Sequence, residues 1–77
     1  MEDIDTDRID EAVLALLYLG RHDHGRAWKS FDWDAMNRLH EKGFISDPVS
    51  KAKSVIFTEE RERRSEELFC ELFSVRR

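Results

Sequence analysis

The sequence is poor in residues that punctuate or staple a chain. One proline and three glycines in 77 residues leave few places for tight turns, which argues against a many-stranded β fold. The isolated glycines, at positions 20, 25 and 43, build neither a phosphate-cradling loop nor a nucleophile elbow. A single cysteine, Cys70, excludes an internal disulfide. The longest apolar run, residues 12–19, is far short of the roughly 20 residues a bilayer-spanning helix needs. The opening Met-Glu-Asp-Ile-Asp has neither the basic flank nor the apolar stretch of a signal peptide. A cytosolic location without membrane contact is therefore expected.

What the chain does have is 40% hydrophobic and 39% charged residues, a balance that suits one small, mainly helical domain over residues 1–77, with residues 1–5 expected to be disordered. Net charge is −4 and unevenly spread. Residues 1–20 carry six acids against Arg8, residues 21–58 carry seven bases against five acids, and residues 59–77 carry five bases against six acids. Only the middle is basic, and weakly so, whereas nucleic-acid binders neutralise several phosphates at once.

Local signals predict three helices. The first starts near Thr6 or Asp7, either of which can accept from free first-turn amides, and ends at Gly20. Its apolar face is Ile9, Ala12, Val13, Leu16 and Leu17, and Leu14, Ala15 and Leu19 leave little polar surface elsewhere. Residues 21–31 show no period and read as a connector with one short turn or strand around residues 27–29. A second helix spans about residues 32–42, capped by Asp32, stapled by Phe31 and Met36, and stopped by Gly43. Ala35, Met36 and Leu39 form its buried stripe, with Trp33 at the edge. Residues 44–47 and 53–57 predict a two-stranded hairpin turning through Pro48. Thr58-Glu59-Glu60 opens the last helix, supported by Glu59–Arg63 and Glu60–Arg64 pairs and running to about Ser74. In that helix only the half carrying Leu68, Phe69, Leu72 and Phe73 is built to pack.

Candidate chemistry is sparse. His22-Asp23-His24, with His40 elsewhere, is the one cluster with metal-ligand side chains, but its spacing follows no zinc motif, and exposed loop residues describe it better. Cys70 has no base beside it. Asp32 and Asp34, two apart on a helix, point to different sides and do not form an acid–base pair. Trp28, Phe31 and Trp33, interleaved with Arg26 and Lys29, could stack single-stranded bases, although such aromatics usually belong to a core. No cofactor, metal or catalytic group is expected, and no enzymatic activity.

The stretches Arg38-Leu39-His40-Glu41-Lys42-Gly43-Phe44-Ile45 and Ser54-Val55-Ile56-Phe57-Thr58-Glu59-Glu60 resemble the recognition helix, wing and following helix of winged-helix regulators of the MarR and PadR type. That resemblance covers residues 32–65 and implies a mainly α, three-helix, winged-helix-like domain with a small β-hairpin. Only residues 21–31 are available for the supporting helix of a helix-turn-helix. Nearly the full length is also similar to a family of small uncharacterised bacterial proteins known as a domain of unknown function, through residues 9–19, 27–34 and 45–48; that likeness implies no activity.

The leading expectation is a non-enzymatic protein-interaction module with an unidentified protein partner. The excess apolar side chains Leu14, Leu19, Leu68, Phe69, Leu72 and Phe73 are expected to form a homodimer interface. The alternative is a small DNA-binding regulator touching phosphate through Arg38, Lys42, Lys51 and Lys53, an arrangement the acidic net charge disfavours.

Overall fold

The computed structural model describes residues 3–22, 25–49, 52–58 and 61–75. Helix α1 spans Thr6–Leu17 and is capped one residue earlier than the sequence suggests. The Asp5 carboxylate accepts from the amides of Asp7 (3.1 Å) and Arg8 (3.2 Å), satisfying two first-turn donors that have no helical partner. A 3-10 turn over Tyr18–Gly20 completes it. The buried residues are Asp10, Val13, Leu14, Ala15 and Leu17, so the inward face is rotated from the expected one. Ile9 is exposed, Ala12 and Leu16 are half-buried, and Asp10 heads a 10-13-14-17 stripe.

The predicted connector is a β-hairpin. Strand β1 (Arg21–His22) pairs antiparallel with β2 (Arg26–Trp28), and β2 pairs antiparallel with β3 (Ser54–Ile56), giving the order β1-β2-β3. Gly25 enters β2 at φ +76°, a region open to glycine but costly for residues with a Cβ. The expected pairing of residues 44–47 with 53–57 shrinks to the Ile45–Phe57 bridge, flanked by the Ser46 amide donating to the Ile56 carbonyl (2.8 Å), the Ile56 amide to Ser46 Oγ (2.9 Å) and the Thr58 amide to the Phe44 carbonyl (3.0 Å). Pro48 cannot extend that ladder because it has no amide hydrogen. Instead it is buried, and its carbonyl accepts from Lys29 Nζ (2.7 Å).

Helix α2 spans Trp33–Glu41, with Asp32 accepting from the Ala35 amide (3.1 Å) and with Ala35, Met36 and Leu39 buried. It ends in a Schellman motif: the Gly43 amide donates to His40 and the Phe44 amide to Leu39 (2.9 and 3.0 Å). Gly43, at φ +81°, supplies the left-handed residue this ending requires.

Helix α3 spans Arg61–Phe73. The Thr58 hydroxyl donates back to the carbonyls of Gly43 (2.7 Å) and Phe44 (3.1 Å), tying this helix start to the end of α2. Glu59 and Glu60, and the ion pairs expected of them, lie outside the described residues. The polar half of α3 also packs: Ser65 is fully buried and its hydroxyl donates to the Leu14 carbonyl. A small hydroxyl residue lets two helices approach closely where a larger side chain would hold them apart.

The core joins Val13, Leu14 and Leu17 of α1 to Met36 and Leu39 of α2, Leu68 of α3, and Ala27, Ile45, Val55 and Phe57 of the sheet side. The protein is thus mainly α with a small three-stranded antiparallel sheet. Among the described residues no further α-helix lies between α1 and α2; beyond the 3-10 turn, a hairpin occupies the place of a helix-turn-helix supporting helix. No helix among them is long and apolar enough to cross a membrane.

Candidate functional site

The most organised polar arrangement joins α1 to α2. Asp10 takes an inward position on α1 because the 3.6-residue period places it in line with Val13, Leu14 and Leu17. It is only 2% exposed. Arg38 and Lys42 stand one turn apart on and just beyond α2, so both reach the same carboxylate. Arg38 Nε donates to both Asp10 oxygens at 2.9 Å, and its guanidinium also approaches Oδ1 at 2.8 Å. Lys42 Nζ donates to Asp10 Oδ2 (2.8 Å) and to Asp7 Oδ1 (3.1 Å). Burial pushes the Asp10 carboxyl toward its neutral form, but the Arg38 and Lys42 hydrogen bonds outweigh this and hold it below the ordinary aspartate value. The same bonds to Asp10 raise Arg38 and Lys42 above their ordinary values.

Beside this cluster lies a cleft of about 290 Å³, lined by Leu14, Leu39, Phe44 and Leu68 together with Asp7, Glu11 and Lys42. Its charges are opposite in sign, and Lys42 is already spent on two carboxylates. Neither a nucleophile nor an acid–base pair of separated strength is present there.

The phosphate-contacting set expected from the sequence is consequently divided. Arg38 and Lys42 face α1 and are held by Asp10, Lys53 is exposed, and Lys51 lies outside the described residues. A groove-reading α2 therefore has its two principal cations engaged internally. The expected apolar interface is divided as well. Leu14 and Leu68 belong to the core of the single chain and are unavailable to a second one, and Phe69 packs half-buried against that core. Leu19 (67% exposed), Leu72 (44%) and Phe73 (46%) remain outside.

The aromatic group expected in the core is largely outside it. Phe31 packs against the core, whereas Trp28 is 50% and Trp33 57% exposed. His22 stacks on Trp28, with ring centroids 3.8 Å apart and planes 20° from parallel. Its Nδ1 lies 3.0 Å from the Gly20 carbonyl, which can only accept, so this nitrogen carries the hydrogen. His40 Nδ1 similarly donates to the Ile45 carbonyl (3.1 Å). Asp23 and His24 lie outside the described residues, and among the described ones no three His, Cys, Asp or Glu side chains gather to hold a metal. Cys70 is free and exposed on α3. Sequence reasoning missed Asp10; the available signal was a carboxylate at an apolar spacing.

Comparison with known proteins finds a relative whose name states no activity. The chain is 58% identical over 72 residues, 94% of its length and 97% of the relative's, to "Uncharacterized protein y4hR" of Sinorhizobium fredii (strain NBRC 101917 / NGR234). No solved structure matches it. A family model described as "Domain of unknown function (DUF6429)" matches residues 5–75, and the chain belongs to that family.

Proposed function

We propose that this protein is a cytosolic, non-enzymatic protein-interaction module that self-associates through the end of α3. The observation carrying this reading is the unburied apolar ridge of Leu72 and Phe73 on α3, with Leu19 exposed on the 3-10 turn. The rings of Tyr18, Phe69 and Phe73 run on from one another at centroid separations of 5.2 and 5.7 Å, so the ridge continues from packed into exposed aromatic surface. A chain of this size has little interior left for these side chains. A two-fold axis through one helix end covers the same residues on both copies at once. Burying a Leu or Phe side chain is worth roughly 1.5–3 kcal/mol, and a symmetric pair of ridges supplies several.

Sedimentation at micromolar to tens-of-micromolar protein tests this. The wild type should sediment as a dimer, and Leu72→Glu with Phe73→Glu as a folded monomer with unchanged helical circular dichroism. A wild type that stays monomeric at the highest concentration refutes self-association. Oxidative cross-linking through the exposed Cys70, three residues before Phe73, gives a second readout.

We also read α2, the Ile45–Phe57 bridge, β3 and α3 as one half of a winged-helix-like arrangement, on their order alone. Groove reading by α2 has less support, because Asp10 engages Arg38 and Lys42.

A further inference from the structure

We propose that the outward face of the three-stranded sheet is a stacking platform for single-stranded nucleic acid. The register decides which side chains share that face. His22 pairs with Arg26, Arg26 with Ile56, and Trp28 with Ser54, and in an antiparallel sheet directly paired residues project to the same side. Ala27 and Val55, paired with each other, project inward and are fully buried. The outward set is therefore His22, Arg26, Trp28, Ser54 and Ile56, of which Arg26, Trp28 and Ile56 are exposed.

Three properties of this set point to unpaired bases. The Trp28 indole is half exposed yet fixed: His22 stacks on it, the Gly20 carbonyl anchors His22, and a Cβ at Gly20 would come within 3.4 Å of the indole. A half-exposed aromatic side chain already held in place loses little conformational freedom when a base stacks on it. Secondly, no strand position on this face carries a carboxylate, Arg26 and nearby Lys53 make no ion pair among the described residues, and the Glu62 carboxylate beside Gly25 is engaged by Arg21, so Arg26 and Lys53 are left to meet phosphate. Thirdly, Ile56 opposite Arg26 gives apolar support beside the cation, the mixture that carries both base and backbone. A duplex hides its base faces in its own stack and gains nothing from the indole, so this surface favours the single strand. The proposal uses none of the α3 ridge and stands whether or not the chain self-associates.

Fluorescence anisotropy of labelled oligo-dT of about 12 nucleotides tests it. With two cations neutralising phosphate, the affinity should fall about sevenfold between about 50 and about 200 mM salt. Trp28→Ala should weaken binding about tenfold, Arg26→Gln should flatten the salt dependence by about one phosphate contact, and Trp33→Ala should change nothing. Trp28→Leu keeps apolar bulk without a π face and should lose as much as Trp28→Ala. In Trp33→Phe, Trp28 is the one remaining tryptophan, and oligo-dT should quench its emission saturably, a readout that does not depend on any change at Trp28. Absence of binding or quenching at the lower salt overturns the proposal. So does equal affinity of wild type and a folded Trp28→Leu, tighter binding of a duplex of the same length, or equal binding of poly-glutamate, which would mark an acidic protein partner.

Discussion

Replacing Asp10 by Asn keeps the side chain's shape and removes its charge, so the change isolates what the carboxylate contributes. The amide keeps one acceptor oxygen, but its NH2 group must face either Arg38 or Lys42, both of which only donate. Hydrogen bonds to charged groups contribute about 1.5–3 kcal/mol each. Against that, the Arg38 and Lys42 side chains are 30% and 37% exposed and can turn into water once released, recovering part of the loss. The expected cost is about 2 kcal/mol, or roughly a 10 °C drop in Tm for a domain of this size. The pH dependence sharpens the test. Asp10 has a folded pKa below its ordinary 3.8, so its contribution is present above that value and is lost as pH falls through the folded pKa. Lys42 has a folded pKa above its ordinary 10.5, so its share is complete below that value and is lost as pH rises through the folded pKa. Urea melts followed by circular dichroism should give a constant difference between wild type and Asp10→Asn from about pH 5 to 8, shrinking below about pH 4. A difference that is absent at pH 7, or that does not shrink as pH falls below the ordinary aspartate value of 3.8, refutes the reasoning.

Two further substitutions probe how the helices meet and end. Ser65→Leu forces bulk into the α1–α3 crossing, where Ser65 has no exposed surface, and should cost about 1–3 kcal/mol in the same urea melts; a neutral result would show that the helices separate freely there. Gly43→Ala adds a methyl group with no atom within 4 Å, so only the positive φ opposes it, at about 1 kcal/mol. Gly43→Asn should recover part of that loss, and equal melting of all three would remove the left-handed ending as a source of stability.

How much was legible in the sequence depended on how local the signal was. Helix α2 was readable in nearly every detail, because Asp32, the Ala35-Met36-Leu39 stripe and Gly43 all act within a few residues. Helix α1 was found but rotated: its apolar surplus fits several faces, and Asp10 disguised the buried one as polar. The sheet was misread for a geometric reason. Strands of two and three residues cannot display an alternating period, and in β2 only Ala27 points inward. The partner of β2 is β3, far along the chain, so no turn signal announces their pairing. Ser65 looked like solvated helix surface because residue type alone does not reveal a close crossing.

The candidate site was least legible, since its partners are 28 and 32 residues apart in the chain, and its geometry bears on the function as a whole. A buried ion cluster seldom adds net stability over apolar side chains of the same shape, so the use of Asp10 here is better understood as registration. Arg38 and Lys42 must both reach one carboxylate, and sliding α2 along α1 by a turn would carry one of them into the other's place and strip the buried charge of its second cation. The core alone imposes no such register, because its leucines and methionine can repack with little preference. Fixing α2 in this way turns its two best-placed cations toward α1. The surfaces that this register leaves free are the two proposed for contact: the α3 ridge for a second copy of the chain, and the Trp28 face of the sheet for an unpaired strand.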